Sequence, residues 1–95
     1  MSNIGLIMDE LYDVVQDRIV NPKEGSYTNY LLSKGVDKIA KKVGEEACEV
    51  VIAAKNGKNE ETVAELSDLF YHLMVLMVQQ KISLDEVYEE LKTRR

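Results

Sequence analysis

The chain has one cysteine, one proline, one histidine and no tryptophan among its 95 residues. A single thiol, Cys48, excludes an intrachain disulfide and any zinc site built on several thiolates, and it fits a reducing compartment. With Pro22 as the lone proline, long stretches are free to run as unbroken helix. No apolar run approaches the roughly 20 residues that cross a bilayer. The N-terminal MSNIGLIMDEL reaches Asp9 and Glu10 without a preceding basic segment, so it does not read as a secretory leader, and a cytoplasmic protein with no membrane partner is expected. Positive charge is also in short supply. A net charge of −5 opposes binding to a nucleic-acid polymer through a broad basic face. It leaves nucleotides open, because divalent cations can sit between an acidic site and a polyphosphate. Residues 1–95 read as one domain, and a chain this short buries only about 60–65% of its unfolded surface, so self-association is expected.

What the chain does have is helical periodicity. Apolar residues at Ile4, Ile7, Met8, Leu11, Val14, Val15 and Ile19 predict a helix over about 3–20 that Asn21-Pro22 ends. Ser26 is placed to cap a short helix through Leu32, stopping near Gly35. A stripe of Val36, Ile39, Ala40, Val43, Ala47, Val50, Val51 and Ala54 predicts a third helix over about 36–56, with Gly57 as its stop. Asn59 is the expected cap of a fourth helix reaching about Lys81, and Ser83 with Glu86 forms a capping box for a fifth reaching about Thr93. In the fourth helix Val63, Leu66, Leu69, Phe70, Leu73 and Met77 make one apolar face, whereas Ala64, Val75 and Val78 lie on other sides. Such a helix is expected to be buried on more than one side, with a second chain covering Val75 and Val78. The fold class is therefore all-α, an antiparallel bundle of four to five helices.

The third helix carries Glu45, Glu46 and Glu49, three carboxylates in five positions. Like charges at i,i+3 and i,i+4 repel by a few tenths of a kcal/mol each, so something must offset them. The fourth helix adds Glu65 and Asp68 at i,i+3, on a stripe from Glu61 to His72. Antiparallel neighbours would bring these two acidic stripes together, where hard divalent cations with oxygen ligands are the usual neutralisers. The blander reading is a solvated face with Lys41/Glu45 and Lys42/Glu46 pairs. Those pairs place lysine before glutamate, the weaker order, and leave the second acidic pair unexplained. Lys34, Lys38, Lys41 and Lys42 lie just upstream, so one end of the groove could meet phosphate oxygens while the other holds metal. His72 is either hydrogen-bonded to Asp68 at i,i+4, or supports the site from behind the ligands or meets the substrate. A di-iron bundle would need Glu three residues before the histidine, where this chain has Leu69. Cys48, Tyr27, Tyr30 and Tyr71 read first as packing residues.

The segment SYTNYLLSKGVDKIAKKVGEEACEVVIAAKN followed by ELSDLFYHLMVLM resembles the phosphoribosyl-ATP pyrophosphohydrolases of histidine biosynthesis, over essentially the whole chain. Their broader kin are the all-α nucleoside triphosphate pyrophosphatases of the MazG type. Their E-E-x-x-E and E-x-x-D motif stands here as Glu45, Glu46, Glu49, Glu65 and Asp68. The resemblance implies Mg²⁺, a homodimer, and cleavage of phosphoribosyl-ATP to phosphoribosyl-AMP and pyrophosphate. Family members are often fused to the cyclohydrolase that acts next; this chain lacks the cysteines for that domain's zinc site, so a separate cyclohydrolase is expected.

On that reading Glu46, Glu49, Glu65 and Asp68 are the metal ligands, and Glu45 is a second-metal ligand or the general base. Lys38 and Lys42 are the expected phosphate contacts, Ser26, Tyr27 and Thr28 line the ribose or phosphate end, and His72 supports the ligands from behind. Two rivals stand beside it. A housecleaning nucleoside triphosphate pyrophosphatase would use the same carboxylates with another base pocket. A non-catalytic helical assembly module would leave the acidic stripe as a solvated face.

Overall fold

Stop signals divide the chain into the expected five helices. The computed structural model describes residues 1–95 and contains α1 (Ile4–Val20), α2 (Tyr27–Lys34), α3 (Val36–Lys55), α4 (Asn59–Gln79) and α5 (Leu84–Lys92), with no strand. None of the helices is long and apolar enough to cross a membrane. Asn21 ends α1, and its side-chain amide donates back to the Asp17 carboxylate at 2.8 Å. The Ser26 hydroxyl accepts from the Asn29 backbone N–H and so caps α2. That helix runs two residues past Leu32, to Lys34, before Gly35 takes φ 88°. In that left-handed region a side chain would be strained, and Gly35 lets α3 leave α2 at once.

The remaining boundaries shift by a residue or two for identifiable reasons. Lys58, not Asn59, occupies the N-cap of α4, and it makes no side-chain cap bond; Asn59 is already helical. Glu60 and Glu61 in the first turn supply the favourable charge there instead. The C-terminal end of α4 falls at Gln79 because Lys81 adopts φ 59°, which helix cannot accommodate. Ser83 and Glu86 do form a reciprocal capping box, with the Ser83 N–H donating to Glu86 Oε1 at 3.0 Å and the Glu86 N–H to Ser83 Oγ at 3.1 Å.

α3 and α4 are joined by a tight turn and pack most extensively, as antiparallel neighbours; α1 lies on α4, and α2 fills the space beside α1, α3 and α4. Val15, Leu31, Ile39, Val75 and Val78 form the core cluster, drawn from four helices. This corrects the expectation for α4. Val75 and Val78, assigned above to a partner chain, are fully enclosed by this one, whereas Val63 is 62% exposed and Leu66, Phe70, Leu73 and Met77 are half-buried. α1 sits on the Val75/Val78 side, a choice that periodicity cannot make on a helix apolar nearly all round. The α3 stripe divides likewise: Ile39 is buried, but Val36, Ala40, Val51 and Ala54 face outward.

Two polar ties fix the N-terminus of α2 against α1 and the loop that follows it. The Asn29 amide donates to the Arg18 carbonyl at 2.7 Å, and its oxygen accepts from the Lys23 N–H at 2.9 Å. Tyr12 O–H donates to the Ile82 carbonyl at 2.8 Å and holds the α4–α5 connection. By contrast α5 is amphipathic yet hardly packed: Tyr88 and Leu91 are about 60% exposed.

These differences in packing predict two kinds of response to mutation. Leu31→Ala is expected to lower global stability by about 2–5 kcal/mol, as a fully buried leucine truncated in a small core. Ser83→Ala is expected to cost about 0.5–2 kcal/mol of local helix stability, because it removes a cap from an element that the core does not hold. Amide exchange should then quicken in α5 alone while the denaturation midpoint stays near that of the parent. A global shift from Ser83→Ala equal to that from Leu31→Ala would contradict this division.

Candidate active site

The inner face of α3 runs through Ile39, Val43, Glu46, Val50 and Ala53, so helical period places one glutamate on the line that packs against α4. Glu46 is buried to 8% exposure, Glu65 of α4 is half-buried opposite it, and Glu49 lies at the exposed rim. One carboxylate oxygen from each of the three falls within 4.8 Å of the others. Glu46 Oε2 and Glu65 Oε2 are buried with no hydrogen-bond partner. An unsatisfied buried acceptor costs about 1–3 kcal/mol, more when charged, so a helix interface is an expensive place for two of them.

One cation serves this cluster from within the chain. Lys42 Nζ lies 3.5 Å from Glu45 and 3.6 Å from Glu46, so the Lys42/Glu46 pair forms, while Lys41 makes no ion pair. Partial desolvation pulls the Lys42 ammonium down, but Tyr27, Glu45 and Glu46 outweigh it and its pKa is raised. The Glu49 carboxyl is also raised, chiefly by a hydrogen bond with Glu65, then by the Glu65 charge and desolvation; Glu46 and Lys42 pull the other way. Two carboxyl groups sharing a proton is the expected response to like charges held together.

A divalent cation fits this donor set. The ligands are hard carboxylate oxygens, two buried carboxylate oxygens lack partners, and one oxygen from each glutamate falls within a 4.8 Å span, compact enough for a single hard cation to reach all three. Glu46, Glu49 and Glu65 are thus the three assigned ligands that the fold brings together. Asp68 is exposed and stands outside the cluster. A small cavity of about 140 Å³ continues from Glu49 and Glu65 to Ile52, Ala53 and Glu61. Glu61 was not assigned to the site; its i,i+4 spacing from Glu65 was the available signal.

On the other side of Glu49 an open groove of about 640 Å³ is lined by Lys41, Lys42, Gly44, Glu45, Cys48 and Glu49. This places Lys41 and Cys48 beside the carboxylates as well. Lys38 is elsewhere: with Lys34 it lies over the Tyr30 ring, at 6.0 and 5.7 Å from the centroid. Ser26 is occupied as the α2 cap, and Thr28 Oγ1 pairs with the Tyr71 hydroxyl. The Tyr27 hydroxyl bonds His72 Nε2 at 3.0 Å; burial, only partly offset by Lys42, raises its pKa. His72 does bond Asp68 at i,i+4, but through the backbone: Nδ1–H donates to the Asp68 carbonyl at 2.7 Å, not to its carboxylate.

Residues 8–95 match the family described as phosphoribosyl-ATP pyrophosphohydrolase. A Clostridium novyi protein named phosphoribosyl-ATP pyrophosphatase is 53% identical over 95 residues, covering 100% of this chain and 86% of the relative. Its namesake in Clostridium botulinum strain Hall is 55% identical over 89 residues, 94% of this chain and 81% of the relative. The histidine biosynthesis bifunctional protein HisIE of Thermoanaerobacter pseudethanolicus is 63% identical over 84 residues, 88% of this chain; the match spans 39% of that longer protein. With an all-helical fold that converges Glu46, Glu49 and Glu65 from the two motif-bearing helices, and a match running from Met8 to the last residue, the chain belongs to the phosphoribosyl-ATP pyrophosphohydrolase family.

Proposed function

We propose that the chain is a Mg²⁺-dependent hydrolase that cleaves the α–β phosphoanhydride of phosphoribosyl-ATP, giving phosphoribosyl-AMP and pyrophosphate in the second step of histidine biosynthesis. The observation that carries this reading is the Glu46, Glu49 and Glu65 cluster, with two buried oxygens that nothing in the chain satisfies. Those three residues would hold the metal, with Asp68 at the rim. The bound ion supplies neutralisation of the polyphosphate charge and polarisation of the attacking water. Lys42, beside Glu45 and Glu46 and bordering the open groove, is placed to exchange its glutamate partners for a phosphate oxygen. Glu45, half of whose side chain is exposed next to Lys42, is the carboxylate free to take a proton from water. Lys38 would act further out, beside Tyr30.

The functional unit we propose is a homodimer, on a warrant different from Val75 and Val78. A folded monomer of this mass is expected to expose roughly 5,500 Å² and to have a radius of gyration of roughly 12.4 Å. This chain exposes 6878 Å² with a radius of 14.2 Å, and buries nine of its 95 residues. Val51, Ile52 and Val63 are each about 60% exposed near the glutamate cluster, an apolar margin that a second copy can cover.

Glu65→Gln and Glu49→Gln are each expected to lower Mg²⁺-dependent pyrophosphate release by at least about 100-fold, since even residues behind the ligands cost 10–100-fold in metal sites. Without metal, their thermal stability should equal or exceed that of the parent, because a crowded like charge is gone. The raised Glu49 pKa fixes the sign of the pH effect. The native state keeps this proton to higher pH than the unfolded state, so the associated stability is full below the ordinary carboxylate pKa of about 4.3 and declines as pH rises through the raised native value. Melting temperatures measured from pH 4 to 7 without metal should fall for the parent relative to Glu49→Gln, and Mg²⁺ should cancel the difference. Parallel curves and near-normal activity would return the glutamates to a solvated face.

Lys42→Met is expected to lower kcat/KM by about 10- to 100-fold, the worth of a charged hydrogen bond, while Mg²⁺ still binds in a calorimetric titration. An unchanged kcat/KM removes Lys42 from phosphate recognition. Turnover of a nucleotide panel separates the proposed substrate from other nucleoside triphosphates.

Sedimentation equilibrium across a wide dilution range tests the dimer. Stability should rise with concentration, and Val51→Lys should shift the population toward monomer with loss of activity. A fully active, stable monomer is the contrary result.

A further inference from the structure

His72 is 6% exposed, and both of its ring nitrogens are engaged. The Asp68 carbonyl, 2.7 Å from Nδ1, can only accept, so Nδ1 carries the proton. In the neutral ring Nε2 is then bare and must accept, so Tyr27 O–H, 3.0 Å away, donates to it. Edge-on packing against Tyr71 and Tyr27, with centroids at 5.0 and 5.7 Å, holds the ring in place. Tyr27 has therefore spent its only proton, and its oxygen can meet a further partner only as an acceptor. A phosphate oxygen is also an acceptor and would be repelled there, whereas Lys42 nearby supplies donors for it.

We propose that His72 is a positioning residue that makes the Tyr27 oxygen a dedicated acceptor, so that Tyr27 receives a sugar hydroxyl of the nucleotide substrate while Lys42 takes its phosphate. The assignment rests on the nucleotide reading above and deepens it: it separates the sugar from the phosphate end, which the sequence left joined at Ser26, Tyr27 and Thr28. A ribosyl phosphate carries its hydroxyls a few bonds from its phosphate oxygens, so one ligand can meet both groups.

Because the chain has one histidine, its imidazole ¹⁵N spectrum reports His72 alone. At neutral pH the expected spectrum shows a protonated Nδ1 and a bare, hydrogen-bonded Nε2, and Tyr27→Phe should move the Nε2 resonance. A protonated Nε2, or a spectrum indifferent to Tyr27→Phe, overturns the positioning role. In kinetics, Tyr27→Phe is expected to raise KM about 3- to 10-fold with little change in kcat. A phosphoribosyl-ATP analogue lacking the recognised sugar hydroxyl should show the same loss with the parent protein, and no further loss with Tyr27→Phe. His72→Leu should match Tyr27→Phe, and His72→Gln, which retains an acceptor, should recover most of the affinity. Multiplicative losses for every deoxy analogue overturn the sugar contact. Should the chain cleave no nucleotide, the same cycle is read on phosphoribosyl-ATP affinity by calorimetry. Absence of binding then overturns the sugar contact, and the tautomer result judges the His72–Tyr27 pair independently.

Discussion

The burial of Glu46 between α3 and α4 is the constraint around which the rest of the chain is arranged. A carboxylate on the packing line of a helix pair loses its water, and here it faces Glu65, a second carboxylate in the same position. Two apolar residues of similar size would pack there at less cost. The interface therefore carries a cost that an ordinary charged helix surface does not, and on the proposed reading a bound cation would recover it. Lys42 offsets part of the charge, and the raised Glu49 pKa reflects the strain of what remains. Lys42 reaches neither of the two orphan oxygens.

That cost has to be carried by packing elsewhere, and the fold separates the two. The enclosed residues Val15, Leu31, Ile39, Val75 and Val78 gather toward the N-terminal half of α3 and the C-terminal half of α4, away from Glu49, Glu61 and Glu65. α2 links the regions. Its C-terminal half contributes Leu31 to the core, while its first turn carries Tyr27 to His72 and Thr28 to Tyr71. Asn29, bonded to Arg18 and Lys23, prevents that first turn from drifting. The aromatic side of the site thus inherits rigidity from the core, and the carboxylate side from the long α3–α4 contact.

Most local signals are legible in the sequence, the Asn59 cap excepted, and orientation is not. The Ser26 cap, the Gly35 and Gly57 stops and the Ser83/Glu86 box depend on a few adjacent residues, and all appear. The acidic motif was legible for the same reason, since i,i+3 and i,i+4 spacing fixes a helix face. Which side of α4 turns inward was not legible, because apolar residues nearly surround that helix and only its contact with α1 decides between them. The partner of His72 was half legible: i,i+4 geometry permits either the carboxylate or the carbonyl of Asp68. Its other partner, Tyr27, is 45 residues away, and no spacing rule reaches it.

Side-chain length explains the last difference, between the three acidic residues that converge and the one that does not. Neighbouring helix axes stand about 8–10 Å apart, so carboxylates meeting between α3 and α4 must extend from both. Glu46, Glu49 and Glu65 have the extra methylene needed; Asp68, shorter by about one carbon–carbon bond of 1.5 Å, stays at the rim. Magnesium suits such an arrangement better than a fully dehydrated cation would. On the proposed reading it would keep several waters, which leaves a role for an aspartate at the rim while the three glutamates would hold the ion. The Asp68 carbonyl fixes the His72 tautomer, so the acidic and aromatic sides of the site meet on one turn of α4.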